Sequence, residues 1–232
     1  MSTAIITGAS RGLGLALARE LATRGWTLVV DARSAADLEA AARELGLVTE
    51  ITALAGDVSD EWHRGALVEA AGGSVDLLVN NASYLGPSPQ PALCDYGLDV
   101  LERVYRVNVL APLALAQLVL PRLAADGRLI NVTSDAATEA YAGWGGYGSS
   151  KAALDQLSAV LATEHPSVRV YTIDPGDMRT RMQQEAFPGE DISDRPPPED
   201  SVPALMALIE GGLPSGRYRA RELAPPRSAV GT

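Results

Sequence analysis

The 232-residue sequence contains very little cysteine and histidine, with one Cys and two His residues. A single cysteine, Cys94, excludes an intrachain disulfide and is compatible with a reducing compartment. The two histidines, His63 and His165, lie near no motif and near no other metal-ligating cluster in the sequence. We therefore expect no metal site and predict that both histidines are surface residues.

Positive charge is also scarce, since 19 Lys and Arg residues face 29 Asp and Glu residues and give a formal net charge of -10. No basic cluster occurs, so a nucleic-acid backbone or an anionic membrane surface would be repelled. No apolar run approaches about twenty residues, and the amino terminus lacks the basic and apolar regions of a signal peptide. These absences predict a cytoplasmic protein with neither a nucleic-acid nor a membrane partner.

No Ser/Gly-rich linker or charge run divides the sequence, and 47% of its residues are hydrophobic. That length and composition predict one core and one domain over residues 1–232. Residues 181–200 are polar and interrupted by Pro196-Pro197-Pro198. We expect this segment to be a mobile substrate loop or partial lid, and residues 223–232 to be a loose tail.

Short runs rich in Val, Ile and Leu alternate with helical stretches along the chain. One helical stretch begins at the N-cap residue Ser34 and ends at Gly46, and an earlier one ends at Gly25. This alternation predicts an α/β fold with a doubly wound, mostly parallel, seven-stranded Rossmann-type sheet and helices on both faces. The predicted strands span residues 3–7, 27–31, 48–54, 75–79, 128–133 and 168–173, with a short last strand near 217–219.

The glycine-rich stretch TGASRGLG, Thr7 to Gly14, follows the first predicted strand. Glycines let the backbone turn tightly and approach a ligand, and the next helix offers free N–H groups to a pyrophosphate. Such a turn alone also suits a tight turn that binds nothing. Its TGxxxGxG spacing, however, resembles that of the compact, single-domain short-chain dehydrogenases/reductases.

Three later segments, each after a predicted strand, are similar to further motifs of that family: Asp57-Val58, Asn80 to Ser83 and Asp174 to Thr180. Ser83 departs from the family's NNAG pattern and adds a Cβ beside the expected cofactor ribose. The resemblance implies a nicotinamide dinucleotide bound by Gly8, Ser10, Arg11, Gly12, Leu13, Gly14, Ala32, Arg33, Asp57, Val58, Asn81, Ala82, Ser83, Tyr147, Lys151, Pro175, Gly176, Met178 and Thr180.

The catalytic prediction centres on Tyr147 and Lys151, four residues apart and therefore on one face of a predicted helix. An isolated YxxxK match would indicate only a tyrosine at a helix start and a solvated lysine. Here Ser134 ends a predicted strand thirteen residues upstream. The resemblance implies that Ser134 binds the substrate oxygen, Tyr147 transfers the proton and Lys151 holds the ribose. A phenol normally titrates near pH ~10, so we expect the Lys151 charge to lower the pKa of Tyr147.

Asn108 matches a fourth catalytic position of the family, an asparagine whose main chain holds a proton-relay water. Pro112 has no N–H, so a helix through both residues would leave the carbonyl of Asn108 free for that water. The alternative is that Pro112 is a tolerated kink and Asn108 a solvated polar residue.

Cofactor preference depends on the end of the second strand. In the family an acid that selects NAD falls at the position of Ala32, and Asp31, one residue earlier, should point to the other side of the strand. Arg11 and Arg33 flank the site and favour the 2′-phosphate of NADP. The alternative is that both arginines are solvated and Asp31 still reaches the ribose.

The sequence therefore predicts an NADP-dependent oxidoreductase that transfers a hydride between the nicotinamide and a small carbonyl or alcohol substrate. A catalytically silent NADP-binding regulatory or scaffold protein is the alternative. Tyr141 and Trp144 either line the substrate pocket or serve packing. By resemblance we expect a homodimer or homotetramer through the helices of Asn108 and Tyr147, although the apolar APLALAQLVL segment also suits core packing.

Overall fold

The computed structural model describes residues 1–223, and in this part of the chain seven strands form one sheet in the order β3-β2-β1-β4-β5-β6-β7. All neighbouring strands pair in parallel, which confirms the predicted fold class. The strands are β1 (Thr3–Ile6), β2 (Thr27–Ala32), β3 (Ile51–Ala55), β4 (Val75–Asn80), β5 (Leu123–Val132), β6 (Arg169–Asp174) and β7 (Gly216–Arg219).

Helices cover both faces of the sheet, because the strands β1, β2, β4 and β6 are buried almost throughout and need apolar cover on each side. The helices are α1 (Gly12–Thr23), α2 (Ala35–Leu45), α3 (Glu61–Ala70), α4 (Leu98–Tyr105), α5 (Ala111–Val119), α6 (Gly145–Glu164), α7 (Arg181–Ala186), α8 (Val202–Glu210) and α9 (Ala220–Leu223). Helices α1, α2 and α8 pack on one face, and α3, α5 and α6 pack on the other.

Two strand boundaries differ from the predicted ones. β3 begins at Ile51 because the amides of Val48 and Thr49 both donate to the carbonyl of Leu45 and extend the end of α2. β5 begins earlier than predicted, since Leu123 pairs with Val75 before a register shift. The predicted cap Ser34 is confirmed, with its hydroxyl accepting from the amide of Asp37.

The helix that contains Asn108 is continuous from Leu98 to Arg122, with a π-helical turn at Arg106–Leu110 between α4 and α5. It is long and apolar enough to span a membrane, with a mean hydropathy of 1.4 over its best window. Half of that window is buried inside the protein, and a core helix meets the same criteria. α5 packs against α3 and the sheet through Leu115, Ala116 and Val119.

The segment predicted as a mobile substrate loop or partial lid contains helix α7, and its mobility stays a prediction. Thr180 caps this helix, because its hydroxyl accepts from the amide of Gln183. Of the predicted tail, Leu223 ends α9, and residues 224–232 lie outside the described residues.

Candidate active site

A cavity of about 680 Å³ opens at the carboxyl ends of the strands. It is the expected binding position in a sheet of this topology. Nearly all predicted site residues line it: Gly8, Ser10, Arg11, Gly12, Leu13, Ala32, Arg33, Asp57, Val58, Asn81, Ala82, Ser83, Ser134, Tyr147, Lys151, Pro175, Gly176, Met178 and Thr180. Gly14 and Asn108 do not line the cavity, and both are buried.

The first turn requires glycine for two separate reasons. Gly8 and Gly12 have φ values of +68° and +57°, which side chains rarely adopt. A Cβ on Gly14 would lie 2.5 Å from Asn81 Nδ2 and 2.6 Å from the carbonyl oxygen of Gly8. The N-cap residue Arg11 makes no side-chain cap, so the first N–H groups of α1 stay available to an anionic ligand.

Asn81 and Thr7 join this turn to the end of β4. The Asn81 side chain donates to the carbonyls of Thr7 and Gly8 at 2.8 and 3.1 Å. The Thr7 hydroxyl accepts from the amides of Asn81 and Ala82, each at 3.0 Å. A second threonine, Thr133, lines the cavity with a buried hydroxyl that has no hydrogen-bond partner in the described part of the chain. A glycine cradle and an orphaned buried hydroxyl both fit a polar ligand such as a dinucleotide.

His63 lies inside the protein, and its predicted surface position is wrong. Its side chain is 10% exposed, and Nε2 lies 3.0 Å from Asp31 Oδ2. The other oxygen of Asp31 accepts from the amide of Gly8 at 2.7 Å. Asp31 therefore points toward α3, on the side opposite Ala32, as predicted. His165 is exposed, as predicted.

Arg11 and Arg33 both reach the cavity at the end of β2. Arg11 is about half exposed and lies 3.5 Å from Asp37 in the first turn of α2. Burial alone would raise the pKa of Asp57, but hydrogen bonds from Ser59 and the guanidinium of Arg33 lower it overall. The mouth of the cavity at this end thus carries two guanidinium groups.

Tyr147 and Lys151 lie in the first two turns of α6, and both are buried, with exposures of 7% and 2%. Lys151 Nζ donates to the carbonyl of Val132 at 2.8 Å and lies 5.5 Å from the centre of the Tyr147 ring. Burial raises the pKa of Tyr147 to about 12 and lowers the pKa of Lys151 to about 8. The raised pKa of the phenol is opposite to the expected lowering, because burial and the carboxylates of Asp174 and Asp135 disfavour the phenolate.

Ser134 lies at the cavity, two residues after the end of β5, and its hydroxyl donates to Asp135 Oδ1 at 2.9 Å. The Ser134 carbonyl accepts from Arg217 at 2.9 Å. Trp144 lines the cavity and packs edge-on against the Tyr147 ring. Tyr141 is instead exposed outside the cavity, with its hydroxyl beside Asp135 and Glu139. Only one of the two predicted aromatic candidates is therefore a pocket residue.

Asn108 is completely buried within the π-helical turn. Its Oδ1 accepts from the amide of Tyr84 at 2.8 Å, and its Nδ2 donates to the carbonyl of Tyr84 and to Ser150 Oγ, each at 3.0 Å. The alternative that Asn108 is a solvated polar residue is therefore excluded, because its side chain is fully buried. Through these bonds the Asn108 side chain joins the segment after β4 to α6, which the sequence did not indicate. That the Asn108 carbonyl holds a proton-relay water stays a prediction.

Three residues that line the cavity or contact its lining were not predicted from the sequence: Asp135, His63 and Arg217. Asp135 could have been found because it follows Ser134 directly. His63 and Arg217 carried no local signal, since their partners Asp31 and Ser134 lie 32 and 83 positions away in the sequence.

A doubly wound parallel sheet with a glycine turn and a strand-end cavity defines a dinucleotide-binding protein of the Rossmann type. The family model of the short chain dehydrogenases matches residues 2–191. The chain belongs to the short-chain dehydrogenase/reductase family and is an oxidoreductase of that family.

Individual relatives cover most of the chain. The benzil reductase ((S)-benzoin forming) IRC24 of Saccharomyces cerevisiae is 35% identical over 78% of this chain and 73% of its own length. Sepiapterin reductase of Mus musculus is 35% identical over 78% of this chain and 76% of its own. The solved alcohol dehydrogenase of the archaeon Thermococcus sibiricus, complexed with 5-hydroxy-NADP, is 29% identical with a TM-score of 0.84 and covers 94% of this chain and 95% of its own.

Proposed function

We propose that this chain transfers a hydride between NADP(H) and a small carbonyl or alcohol substrate, with Tyr147 as the acid/base. The main observation in support is that Ser134, Tyr147 and Lys151 line the same cavity as the glycine turn. A scaffold protein would not need a buried phenol and a buried ammonium beside a nucleotide site, because burying each group disfavours its charged form.

The cofactor, when bound, supplies the hydride, and the protein supplies binding, orientation and the proton. The glycine turn and the N-terminus of α1 would hold the pyrophosphate, Asp57 the adenine, and Lys151 the ribose. Residues Pro175 to Thr180 would hold the nicotinamide amide. These assignments follow the family motifs that the residues match, and the residues all line the cavity.

The chain's own groups suit proton donation. With a pKa of about 12, the phenol of Tyr147 is protonated at neutral pH and can donate its proton to the alkoxide formed on a reduced carbonyl. With a pKa of about 8, Lys151 is mostly charged at pH 7. Ser134 would rotate its hydroxyl from Asp135 to the substrate oxygen and hold that oxygen beside the phenol.

The test is Tyr147→Phe, assayed for NADPH consumption against ketones, aldehydes and quinones. We expect turnover to fall by at least about 100-fold, because general acid catalysis contributes about 10²–10⁴. NADPH binding, followed by fluorescence, should persist. Tyr141→Phe outside the cavity is the matched control and should retain activity. A wild-type protein that binds NADPH but consumes none of it with any substrate would support the scaffold alternative.

Preference for NADP over NAD forms the second part of the proposal. Arg11 and Arg33 lie at the cavity mouth, and Ala32 occupies the position of the NAD-selecting acid. Asp31 also lines the cavity, but it is 1% exposed and both of its oxygens have partners, which argues against its reaching a ribose. The bound 5-hydroxy-NADP of the Thermococcus sibiricus enzyme supports the same preference by similarity.

The ratio of NADP to NAD affinities in wild type and in Arg33→Ala tests this preference. We expect the ratio to fall by about tenfold or more, since charge-assisted hydrogen bonds are worth about 1.5–3 kcal/mol. Arg43→Ala, an exposed arginine of α2, is the control. If the ratio of NADP to NAD affinities were unchanged in Arg33→Ala, Arg33 would have no part in the preference for NADP.

We also propose that the chain is one domain and forms a cytoplasmic homodimer or homotetramer. Leu110, Leu118 and Val160 on α5, α6 and the adjoining turn remain 55%, 41% and 40% exposed. Apolar side chains on neighbouring helices suit burial against a second copy. Light scattering should show a lower mass for Leu118→Glu than for wild type, and an unchanged mass would argue against this face.

A further inference from the structure

Asp135 lines the cavity directly beside Ser134, and its two carboxylate oxygens face different surroundings. Oδ1 accepts from the Ser134 hydroxyl at 2.9 Å and from the amide of Ala136 at 2.8 Å. Oδ2 accepts from the hydroxyl of Tyr141 at 3.1 Å, and Tyr141 is exposed outside the cavity. Oδ1 is therefore the oxygen that lies on the side of the proposed substrate position.

The Asp135 carboxylate also differs in its partners from two other carboxylates that line the cavity. Asp174 lies 4.0 Å from Arg217, and Glu185 lies 2.8 Å from Arg181. The partners of Asp135 within the described residues 1–223 are three neutral donors, namely two hydroxyls and one amide. A carboxylate without a cationic partner favours a further hydrogen-bond donor, because its charge strengthens each bond that it accepts.

Apolar side chains surround the phenol of Tyr147 on the same side of the cavity. Leu85 and Tyr147 belong to one buried cluster, against which Trp144 and Met182 pack. All four residues line the cavity. An apolar substituent of the substrate fits these side chains, which leaves a polar substituent to Asp135.

We propose that Asp135 selects α-hydroxy ketones that carry an apolar group, and the matching vicinal diols in the direction of oxidation. The substrate carbonyl oxygen accepts a hydrogen bond from the Ser134 hydroxyl, which therefore turns away from Asp135 Oδ1. The α-hydroxyl lies about one hydrogen-bond length from that carbonyl oxygen, so it can donate to Oδ1 in place of Ser134. On reduction the carbonyl carbon receives the hydride of NADPH and its oxygen receives the Tyr147 proton. Asp135 and the α-hydroxyl keep their protonation states.

A ketone without the α-hydroxyl would leave the Asp135 carboxylate poorer in donors. Once Ser134 has turned to the substrate, Oδ1 would keep only the amide of Ala136. The missing bond is charge-assisted, so its loss disfavours such a ketone. A site that hydrogen-bonds a substrate hydroxyl discriminates in this way against the analogue that lacks it. Asp135 thus acts on the choice of substrate, whereas Ser134 and Tyr147 act on every ketone alike.

This inference rests on the proposed function, and its test compares α-hydroxyacetophenone with propiophenone, in which a methyl group replaces the hydroxyl. The readout is the ratio of kcat/KM for the two ketones with NADPH in wild type, Asp135→Ala and Asp135→Asn. The ratio isolates the α-hydroxyl, because any disturbance of Ser134 affects both ketones. Glu139→Ala is the matched control, since Glu139 also accepts from the Tyr141 hydroxyl, at 2.7 Å, but does not line the cavity.

In Asp135→Ala we expect the preference for α-hydroxyacetophenone to fall by about tenfold or more, because a charge-assisted hydrogen bond is lost. Asp135→Asn keeps a neutral acceptor and should show a smaller fall. Glu139→Ala should keep the wild-type ratio. A ratio in Asp135→Ala equal to that of wild type would overturn the inference, even if kcat/KM fell for both ketones, because Asp135 would then only position Ser134.

A second readout needs no turnover. With the protein loaded with NADP⁺, a ketone binds without reacting, because ketone and NADP⁺ are both oxidised and no hydride can move. Saturation-transfer NMR measures the affinities of both ketones, and the preference for α-hydroxyacetophenone should again fall in Asp135→Ala. No preference in wild type would overturn the inference. If wild type consumes NADPH with no carbonyl compound, the proposed function fails, while the affinity ratio still decides the role of Asp135.

Discussion

The guanidinium of Arg217 donates to the backbone carbonyl of Ser134 at 2.9 Å, although the two residues lie 83 positions apart. Arg217 is held in place by Asp155 of α6, with Nε 3.0 Å from Oδ2. The last strand of the sheet thus supports the backbone of Ser134, the proposed substrate-binding residue. It also ties that backbone to the helix of Tyr147 and Lys151.

Replacement of Arg217 should therefore impair catalysis more than cofactor binding. For Arg217→Leu we expect kcat to fall about tenfold, because a small displacement of Ser134 misplaces the substrate oxygen. The affinity for NADPH should change less than about twofold, because Arg217 is not among the residues lining the cavity. Steady-state kinetics and NADPH fluorescence titration measure the two effects. Arg221→Ala, an exposed arginine of α9, is the control. A loss of NADPH affinity as large as the loss of kcat would contradict this role.

Lys151 should make the stability of the protein depend on pH. Its pKa is lowered to about 8 by burial, so between pH 8 and its ordinary 10.5 the unfolded chain binds the proton more strongly than the folded chain. Stability therefore rises with pH across this window, and the burial cost is fully present below about pH 8. We expect Lys151→Met to be more stable than wild type at pH 7 by about 2 kcal/mol, after the loss of the bond to Val132.

Urea unfolding at pH 7 and pH 9.5 checks this expectation, and the advantage of Lys151→Met should shrink at the higher pH. The pKa itself can be measured directly, because Lys151 is the only lysine of the sequence and labelled lysine gives one side-chain signal. A stability difference that is the same at both pH values would show that Lys151 is not desolvated as the structure indicates.

The fold and most of the site residues could be predicted because both depend on local signals. Short apolar strands alternate with capped helices, and each motif directly follows a strand, so the carboxyl edge of one parallel sheet gathers them. The cap of Ser34 and the shared helix face of Tyr147 and Lys151 are likewise set by neighbouring residues.

The remaining features depend on packing between distant segments. The pairing of His63 with Asp31 needs α3 to lie against β2, and no periodicity specifies which helix residue meets the strand end. The pKa of Tyr147 shifts in the direction opposite to the expected one, because burial of the phenol is the largest cause of the shift. Desolvation is a property of the assembled core, so it becomes visible only in the structure.

The two histidines of the chain offer a matched pair for the nucleotide site. His63 contacts the buried Asp31, whereas His165 is exposed. In His63→Ala the Asp31 carboxylate loses one of its two hydrogen-bond partners and keeps only the amide of Gly8, so more of its negative charge acts on the proposed 2′-phosphate position. We expect the NADPH affinity to fall about fivefold relative to NADH, for a penalty of about 1 kcal/mol. His165→Ala should leave the ratio unchanged. A ratio in His63→Ala equal to that of wild type would mean that Asp31 exerts no influence on the phosphate.

Two glycines at helical positions should respond in opposite ways to the same added methyl group. A Cβ on Gly14 in α1 would lie 2.6 Å from the carbonyl oxygen of Gly8, so the turn or the helix must move. Gly14→Ala should therefore destabilise the protein by about 1–3 kcal/mol and weaken NADPH binding, since overpacking costs about that much. A Cβ on Gly65 in α3 meets no atom within 4 Å.

Gly65→Ala should stabilise the protein by about 0.5–1 kcal/mol, because alanine loses less backbone entropy than glycine in a helix interior. Urea unfolding measures both variants, and NADPH titration should show a defect only in Gly14→Ala. Because both variants carry the same chemical change in a helix, intrinsic helix propensity favours both equally. A difference between the two variants in the free energy of unfolding therefore measures how closely α1 packs against the first turn. Equal stabilisation of both variants would show that the turn accommodates the methyl group.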